Sequence, residues 1–292
     1  MGLIILSDTI IKGQTIIGAP TSSGLLLDTY SIVGAAYSLR KLRSAYTGYC
    51  IRVSRISDNT TQDIGFTSDG SLDTTALTSF VGLSTGLVTI WYDQSTSGYN
   101  AVPYGILNLP IIVNAGTLVT LNGKVGLSFP GSHGLAGNGG SPCPNIMTSG
   151  LYSLFMVGNA LDTNIRIMLQ IAFGMQTQAI RRGDGSVLQA IDARGGRDDG
   201  NLNPGTLQFI ANTERKPSSI EIFTNNSTNG ATSVGAAISN NPAPLIGAYT
   251  NGSSFAWNGI IQECIFFNIN PAVITSYRPA VTSALNSYYG TY

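Results

Sequence analysis

From residue 103 onward the chain is a succession of short β-type runs separated by Gly, Asn, Asp and Pro, and nothing else constrains its fold as tightly. LPIIV leads into TLVTLNGKVGLSF, where Asn122-Gly123 is a strong signal for a two-residue hairpin turn. LYSLFMVG, IRIMLQIAFG and QAIRRGDGSVLQAI follow, the last turning at Gly183-Asp184-Gly185, and then TLQFIA, SSIEIFTNN, PLIGAY and FAWNGIIQECIFFN. About ten to twelve strands at this spacing predict an all-β fold: two packed antiparallel sheets in a jelly-roll sandwich, with a few short helices.

The helices are expected before and after this region. Ile32, Ala35, Ala36, Leu39 and Leu42 recur at three- and four-residue spacing after Asp28, Thr29 or Ser31 as N-caps, which predicts a helix. Alternation then takes over, with Tyr49, Ile51 and Val53 on one face of a strand and Cys50, Arg52 and Ser54 on the other. Asp73 opens a second helix, with Ala76, Leu77, Phe80 and Val81 as its apolar stripe, and LVTIWYD is the next strand. PAVITSYRPAVTSALNSYYG closes the chain as a helix that Pro279 is expected to kink or split. No repeat of fixed period runs through the sequence.

Charge is scarce. Charged residues make up 10% of the 292, whereas soluble domains carry about 25%. Hydroxyls and amides must therefore solvate the surface. Fifteen basic and fifteen acidic side chains cancel, and SLRKLR is the longest basic run, so the electrostatic footprint of a nucleic-acid binder is missing. No apolar stretch approaches the ~20 residues that span a bilayer, and MGLIILSDTIIKG has no basic n-region, so neither a membrane span nor a signal peptide is read here. Cys50, Cys143 and Cys264 are too few for a disulfide framework, and Cys50 and Cys264 sit in apolar runs as buried thiols.

Residues 1–30 read as a separate unit. Leu3–Leu6 and Ile10–Ile17 are short β-type runs with too little core to form a domain, and Ile-rich strands with open edges seek partners. The segment is expected to be an N-terminal arm docked on another subunit or assembly, with packing on its own domain as the alternative. The division is then arm 1–30 and sandwich 31–292.

A family resemblance follows from the residues just described. AYSLRKLRSAYTGYCIRVSRISDNTTQDIGF, DGSLDTTAL, VTIWYDQSTSGYNA and KVGLSFPGS together resemble the concanavalin A-like (LamG-like) sandwich module of arabinofuranosidase B catalytic domains. They are also similar to the non-enzymatic relatives carried by bacteriophage structural and tail proteins. The most specific part is WYDQS followed by Gly98 and Asn100, and the likeness runs over about residues 31–290. The resemblance implies two curved antiparallel sheets, and for the family's enzymes two catalytic carboxylates, one in a Gly-Gly-Asp-Asn stretch before the last core strand. Here LIGAYTNGSSFAWNG has no Asp or Glu between Ile246 and Gly259. For the partner carboxylate, Asp184 and Asp192 lie in the right part of the chain, outside any matching motif.

Candidate chemistry is correspondingly thin. Glu214 falls in the polar stretch NTERKP and is expected to be solvated, while Glu221 and Glu263 occupy strands, Glu263 facing out or meeting a core arginine. Asp93 and Gln94 end a buried strand; the carboxylate is expected to accept backbone N–H groups of the next turn and to pair with Arg52, Arg55 or an arginine of SLRKLR. His133 is the only histidine and no G-x-S-x-G elbow accompanies it, which argues against a serine triad and a multi-histidine zinc site. IDARGGRDDGNLNPG offers Asp192, Asp198 and Asp199 to calcium, although Arg194 and Arg197 neutralise it without a metal. Ligand-binding candidates for a saccharide are Asp93, Gln94, Tyr99, Asn100, Tyr104, Tyr249, Asn251 and Trp257. No cofactor is expected.

These features lead to the expectation of a non-enzymatic bacteriophage virion protein, a head fibre, capsid decoration or tail adhesin. Residues 1–30 would hold it to other virion proteins and its head would bind host-surface glycans. It would form a homo-oligomer, a trimer in a fibre. The alternative is a glycoside hydrolase of the arabinofuranosidase type.

Overall fold

The segment VGAAYS at residues 33–38 is a strand buried along its whole length, which corrects the helix expected from Ile32 to Leu42. A strand covered on both faces shows no alternation, so its apolar run fits the helical template equally well. Its non-local partner decides the outcome: residues 35–38 lie antiparallel to residues 263–266. The computed structural model describes residues 24–31, 33–105, 107–144, 146, 151–171, 178–182, 187–192, 196–199, 207–227, 232–233, 243–248, 255–268 and 271–292.

In chain order the elements begin with α1 (Leu26–Thr29), β1 (Val33–Ser38), β2 (Ile51–Arg55), β3 (Thr61–Ile64), α2 (Thr74–Val81), β4 (Gly86–Trp91), β5 (Ala101–Pro103) and β6 (Ile111–Asn114). Next come β7 (Thr117–Leu118), β8 (Thr120–Leu121), β9 (Lys124–Val125), β10 (Leu127–Pro130), β11 (Leu135–Gly137), β12 (Tyr152–Ala160), β13 (Arg166–Gln170) and β14 (Gln178–Arg182). The chain finishes with β15 (Leu188–Asp192), β16 (Gly196–Asp199), β17 (Phe209–Arg215), β18 (Ser219–Thr224), β19 (Thr232–Ser233), β20 (Leu245–Ile246), β21 (Asn258–Phe267) and α3 (Pro271–Tyr289).

The ladders between these strands are antiparallel, and the structure is mostly β, as expected. Hydrogen bonding passes from β19 through β18, β17 and β12 to β21, along whose other edge β1 and β10 lie end to end. From β10 it continues through β6 to β4, β2 and β3. A second branch leaves β4 through β5, β11, β20, β13 and β14 to β15 and β16. The strands thus curl into one nearly closed sheet around a core that includes Trp91, Phe129, Met156, Met168 and Phe209.

A second apolar cluster lies on the outer face of β12 and β21. Val281, Leu285 and Tyr289 of α3 pack there with Val33, Phe155 and Phe267, and the rings of Phe155 and Phe267 meet edge to face at 5.7 Å. Leu26 and Leu27 join the same cluster, and the Leu27 N–H donates to the Leu42 carbonyl at 2.8 Å. The described end of the expected arm, residues 24–30, therefore packs on its own domain; residues 1–23 lie outside the described residues.

Local signals behave as their chemistry dictates. Asp73 caps α2 by accepting from the Ala76 N–H at 2.8 Å, and Gly82 ends that helix at φ 59°. Asn122 and Gly123 both take positive φ, 50° and 73°, the conformation of a tight hairpin turn between β8 and β9. The break expected at Pro279 is absent. The helix α3 runs unbroken from Pro271 to Tyr289 with Pro279 on its exposed side, while Val281, Leu285 and Tyr289 hold the other side to the sheet. Among the described residues no helix is long and apolar enough to cross a membrane, and all three cysteines are buried and free.

Candidate active site

At the end of β4 the side chains of Asp93 and Gln94 are both buried. Asp93 Oδ1 accepts from the N–H groups of Ala36 and Ser95, each at 2.8 Å, and Oδ2 accepts from Ser95 Oγ at 2.6 Å and the Tyr99 N–H at 3.0 Å. Gln94 Oε1 accepts from the Leu42 N–H at 2.8 Å, while its Nε2 donates to the carbonyls of Ser38 and Arg40 at 3.0 and 2.9 Å. Asn100 completes the corner by accepting from the Asp93 N–H at 3.0 Å. These bonds clamp β1 and the segment after it to the end of β4. The expected arginine partner for Asp93 is not there: Arg40 engages Glu263, Arg52 engages Asp63 and Arg55 engages Asp58.

Of the other saccharide candidates, Tyr99 joins this corner through its N–H, while Tyr104 and Trp257 pack elsewhere. Tyr99 is half-buried and its hydroxyl donates to the Pro144 carbonyl. Tyr104 is half-buried against Ala136, Leu245 and their neighbours. Trp257 is fully buried, donates from Nε1 to the Asn159 carbonyl at 3.0 Å and stands edge-on to Phe209 at 6.3 Å. Tyr249 and Asn251 lie outside the described residues. His133 contacts the Gly131 carbonyl through Nδ1.

Glu214 departs from expectation. Glu214 belongs to no solvated loop; it lies within β17, fully buried, directly opposite Glu221 of β18. Lys216 Nζ sits between the two carboxylates, 2.6 Å from Glu221 Oε1 and 3.5 Å from Glu214 Oε2, and Arg278 of α3 reaches Glu214 Oε1 at 3.0 Å. The stretch NTERKP reads as polar because its charges are buried as pairs, with a partner from the last helix that local sequence does not reveal. Although the two carboxyls face each other, the cations between and above them occupy the space a scissile bond would need. Glu263 meets the core arginine: it accepts from Arg40 Nε and Nη2, Ser38 Oγ and the Tyr289 hydroxyl.

One polar strip carries a group without a partner. On β15 the fully buried Gln189 accepts from Arg181 Nε of β14 at 2.7 Å, and among the described residues its Nε2 has no hydrogen-bond partner. Gln189 is the register partner of Arg181 on one side and of Asp199 on the other; Ala190 faces Asp198 and Asp192 faces Gly196. An orphaned buried amide donor is costly, by about 1–3 kcal/mol, and marks a place where a ligand acceptor is favourable. The acidic stretch 192–199, which the sequence offers as a calcium loop, is mainly the hairpin β15–β16; residues 193–195 lie outside the described residues. Among the described residues no three His, Cys, Asp or Glu side chains converge on a metal site. Gln189 and Arg181 escaped the sequence reading because a strand Gln gives no chemical signal until its neighbours are known.

Known proteins similar to this chain point in one direction. The profile of the family described as alpha-L-arabinofuranosidase B, catalytic, matches residues 29–106. Probable alpha-L-arabinofuranosidase B of Aspergillus flavus and alpha-L-arabinofuranosidase B of Aspergillus oryzae are each 40% identical over 102 residues, 32% of this chain and 20% of theirs. The chain thus matches about a fifth of the length of these relatives. A GH54 α-L-arabinofuranosidase soaked with a cyclic sulfate inhibitor superposes over 86% of this chain and 63% of its own, with TM-score 0.59 and 19% identity. An arabinofuranosidase complexed with arabinofuranosyl-α-1,2-xylobiose gives TM-score 0.59 at 19% identity over 86% of this chain and 62% of its own. At that identity the likeness is one of fold. Together these matches correct the expectation of a non-enzymatic phage protein located in a virion: the similar proteins are arabinofuranosidases, glycoside hydrolases, and none of these matches is a virion component.

Proposed function

We propose that this chain is a carbohydrate-active domain of the arabinofuranosidase type, a concanavalin A-like sandwich that hydrolyses α-L-arabinofuranosides. The observation that carries the reading is the 40% identity to two arabinofuranosidases over 102 residues, beside the family profile's match to residues 29–106. Glycoside hydrolysis needs two carboxyls flanking the scissile bond, about 5–5.5 Å apart for retention and 6.5–9.5 Å for inversion. Elimination narrows their source. Asp58, Asp63, Asp162, Glu214, Glu221 and Glu263 are held by arginine or lysine. Asp28, Asp69, Asp73 and Asp93 are held by hydroxyls and backbone N–H groups. Asp192, Asp198 and Asp199 belong to β15 and β16, where Asp199 is the register partner of Gln189; Asp8 and Asp184 lie outside the described residues. Residues 246–259 hold no acid where the family resemblance places one, and we place both carboxyls among Asp184, Asp192, Asp198 and Asp199.

The test is release of 4-nitrophenol from 4-nitrophenyl α-L-arabinofuranoside by the full chain. Turnover is expected, with Asp192→Asn or Asp199→Asn lowering kcat by about 10²–10⁴-fold while the melting temperature holds. A wild-type chain no faster than buffer, or full activity in all four Asp→Asn variants, would overturn the proposal.

A further inference from the structure

A cleft of about 210 Å3 opens between the loop before α2, the β8–β9 hairpin and the end of α3, and it shares no residue with the β14–β16 strip. Leu72 and Val125 give it an apolar side; Ser71, Thr74, Lys124 and Tyr288 give it a polar one. The Tyr288 ring is approached by two cations, Lys124 Nζ at 4.3 Å and Arg40 Cζ at 4.4 Å from its centroid. They differ in what balances them. Arg40 is neutralised by the buried Glu263 through two hydrogen bonds. Lys124 meets no carboxylate among the described residues, so its charge faces the cleft uncompensated.

An acid, Asp69, also lies near the cleft; it accepts from the Ser71 N–H at 3.1 Å and from Ser71 Oγ at 3.2 Å and acts electrostatically on Tyr288. Ser71 Oγ gives its proton to Asp69 and shares a hydrogen bond with the Tyr288 side chain, which leaves it one lone pair for a ligand hydroxyl. Asp69 would oppose a doubly charged phosphate more strongly than a singly charged anion. A singly charged carboxylate on a hydroxylated ring fits both the charge and the mixed lining.

We propose that this cleft binds one sugar unit bearing a carboxylate, a hexuronate. Lys124 takes the carboxylate, Ser71 and Thr74 meet ring hydroxyls, and Leu72 and Val125 cover a C–H face. The site does not depend on the hydrolytic reading, because occupancy is measured without turnover.

Titration calorimetry of the full chain with D-galacturonate, D-galactose and inorganic phosphate tests it. Galacturonate is expected to bind at least about tenfold more tightly than galactose or phosphate, the margin of one charge-assisted hydrogen bond. Lys124→Gln should bring galacturonate down to the level of galactose, with the melting temperature unchanged because Lys124 is on a hairpin end. Tyr288→Phe, which keeps the ring, should preserve the preference for the acid. Trigalacturonate binding more tightly than the monomer assigns the unit to a polysaccharide, and equal binding assigns it to a free sugar acid; either agrees with the site. Galacturonate binding no better than galactose, phosphate competing equally, or a Lys124→Gln chain that keeps its preference would overturn the proposal.

Discussion

Arg40 closes on Glu263 through two parallel hydrogen bonds, Nε to Oε2 at 3.0 Å and Nη2 to Oε1 at 3.1 Å, with the carboxylate 1% exposed. Burial works against the guanidinium, but the Glu263 carboxylate beside it holds it charged well above its ordinary range. The same carboxylate accepts from Ser38 of β1 and from the Tyr289 hydroxyl of α3, so one acid ties the first strand, the last strand and the last helix together. Removing one partner leaves a buried charge uncompensated. Arg40→Met is expected to cost about 3–5 kcal/mol in urea unfolding, and the double variant Arg40→Met/Glu263→Met less than the sum of the two singles.

The corner at Asp93 is a matter of stability. Asp93→Ala orphans the N–H groups of Ala36 and Tyr99 at once, and about 3 kcal/mol or more should be lost. Isothermal unfolding in denaturant checks the figure. A loss below 1 kcal/mol would mean that water or a neighbouring carbonyl replaces the carboxylate.

Glu214 and Glu221 stand directly opposite each other, and like charges so placed repel. Lys216 is the cation that makes the arrangement tolerable. Lys216→Met is expected to destabilise by about 2 kcal/mol. Glu221→Gln in the same background should recover part of that loss, which a thermal melt of the pair would show.

Acid should loosen the turn between β12 and β13. Burial pushes the Asp162 carboxyl up, yet the hydrogen bonds from Arg166 and Asn258 outweigh it and bring it down to about 2 from an ordinary 3.8. A carboxyl lowered by folding stabilises the native state above its unfolded value and loses that contribution as pH falls through the folded one. The stability curve should therefore steepen between about pH 4 and pH 2. Asp162→Asn should flatten that part of it in acid titration followed by circular dichroism.

Gly247 sits at φ 79°, and a Cβ there would fall on the ring of Phe129. Both the backbone and the packing oppose a side chain. Gly247→Ala should lower the melting temperature more than Gly98→Ala, whose φ is 72° but whose surroundings are open.

Much of the fold was legible where the signal is local. Asp73 caps α2 because its carboxylate reaches an N–H three residues on, and Asn122-Gly123 turns because both accept positive φ. The clamp of Asp93 onto Ser95 and Tyr99 belongs to the same class, being written within seven residues. The failures are all non-local. Strand β1 was indistinguishable from a helix until its partner 234 residues later is known, since Val33 pairs with Phe267. Glu214 looked solvated because Arg278, 64 residues away, could not be foreseen. In the candidate site, Asp192, Asp198 and Asp199 were visible as acids, but the orphaned amide of Gln189 is a property of the environment.

The strand β21 has a kinetic consequence. It supplies the partner for β1, β10 and β12, yet it follows all three in the chain and is made after them. Until about residue 267 emerges, three apolar strands wait with open edges, exposed to pairing with neighbouring chains. Nascent copies need dilution or a chaperone during that interval, and stop codons before residue 258 should yield aggregates in place of shortened soluble protein.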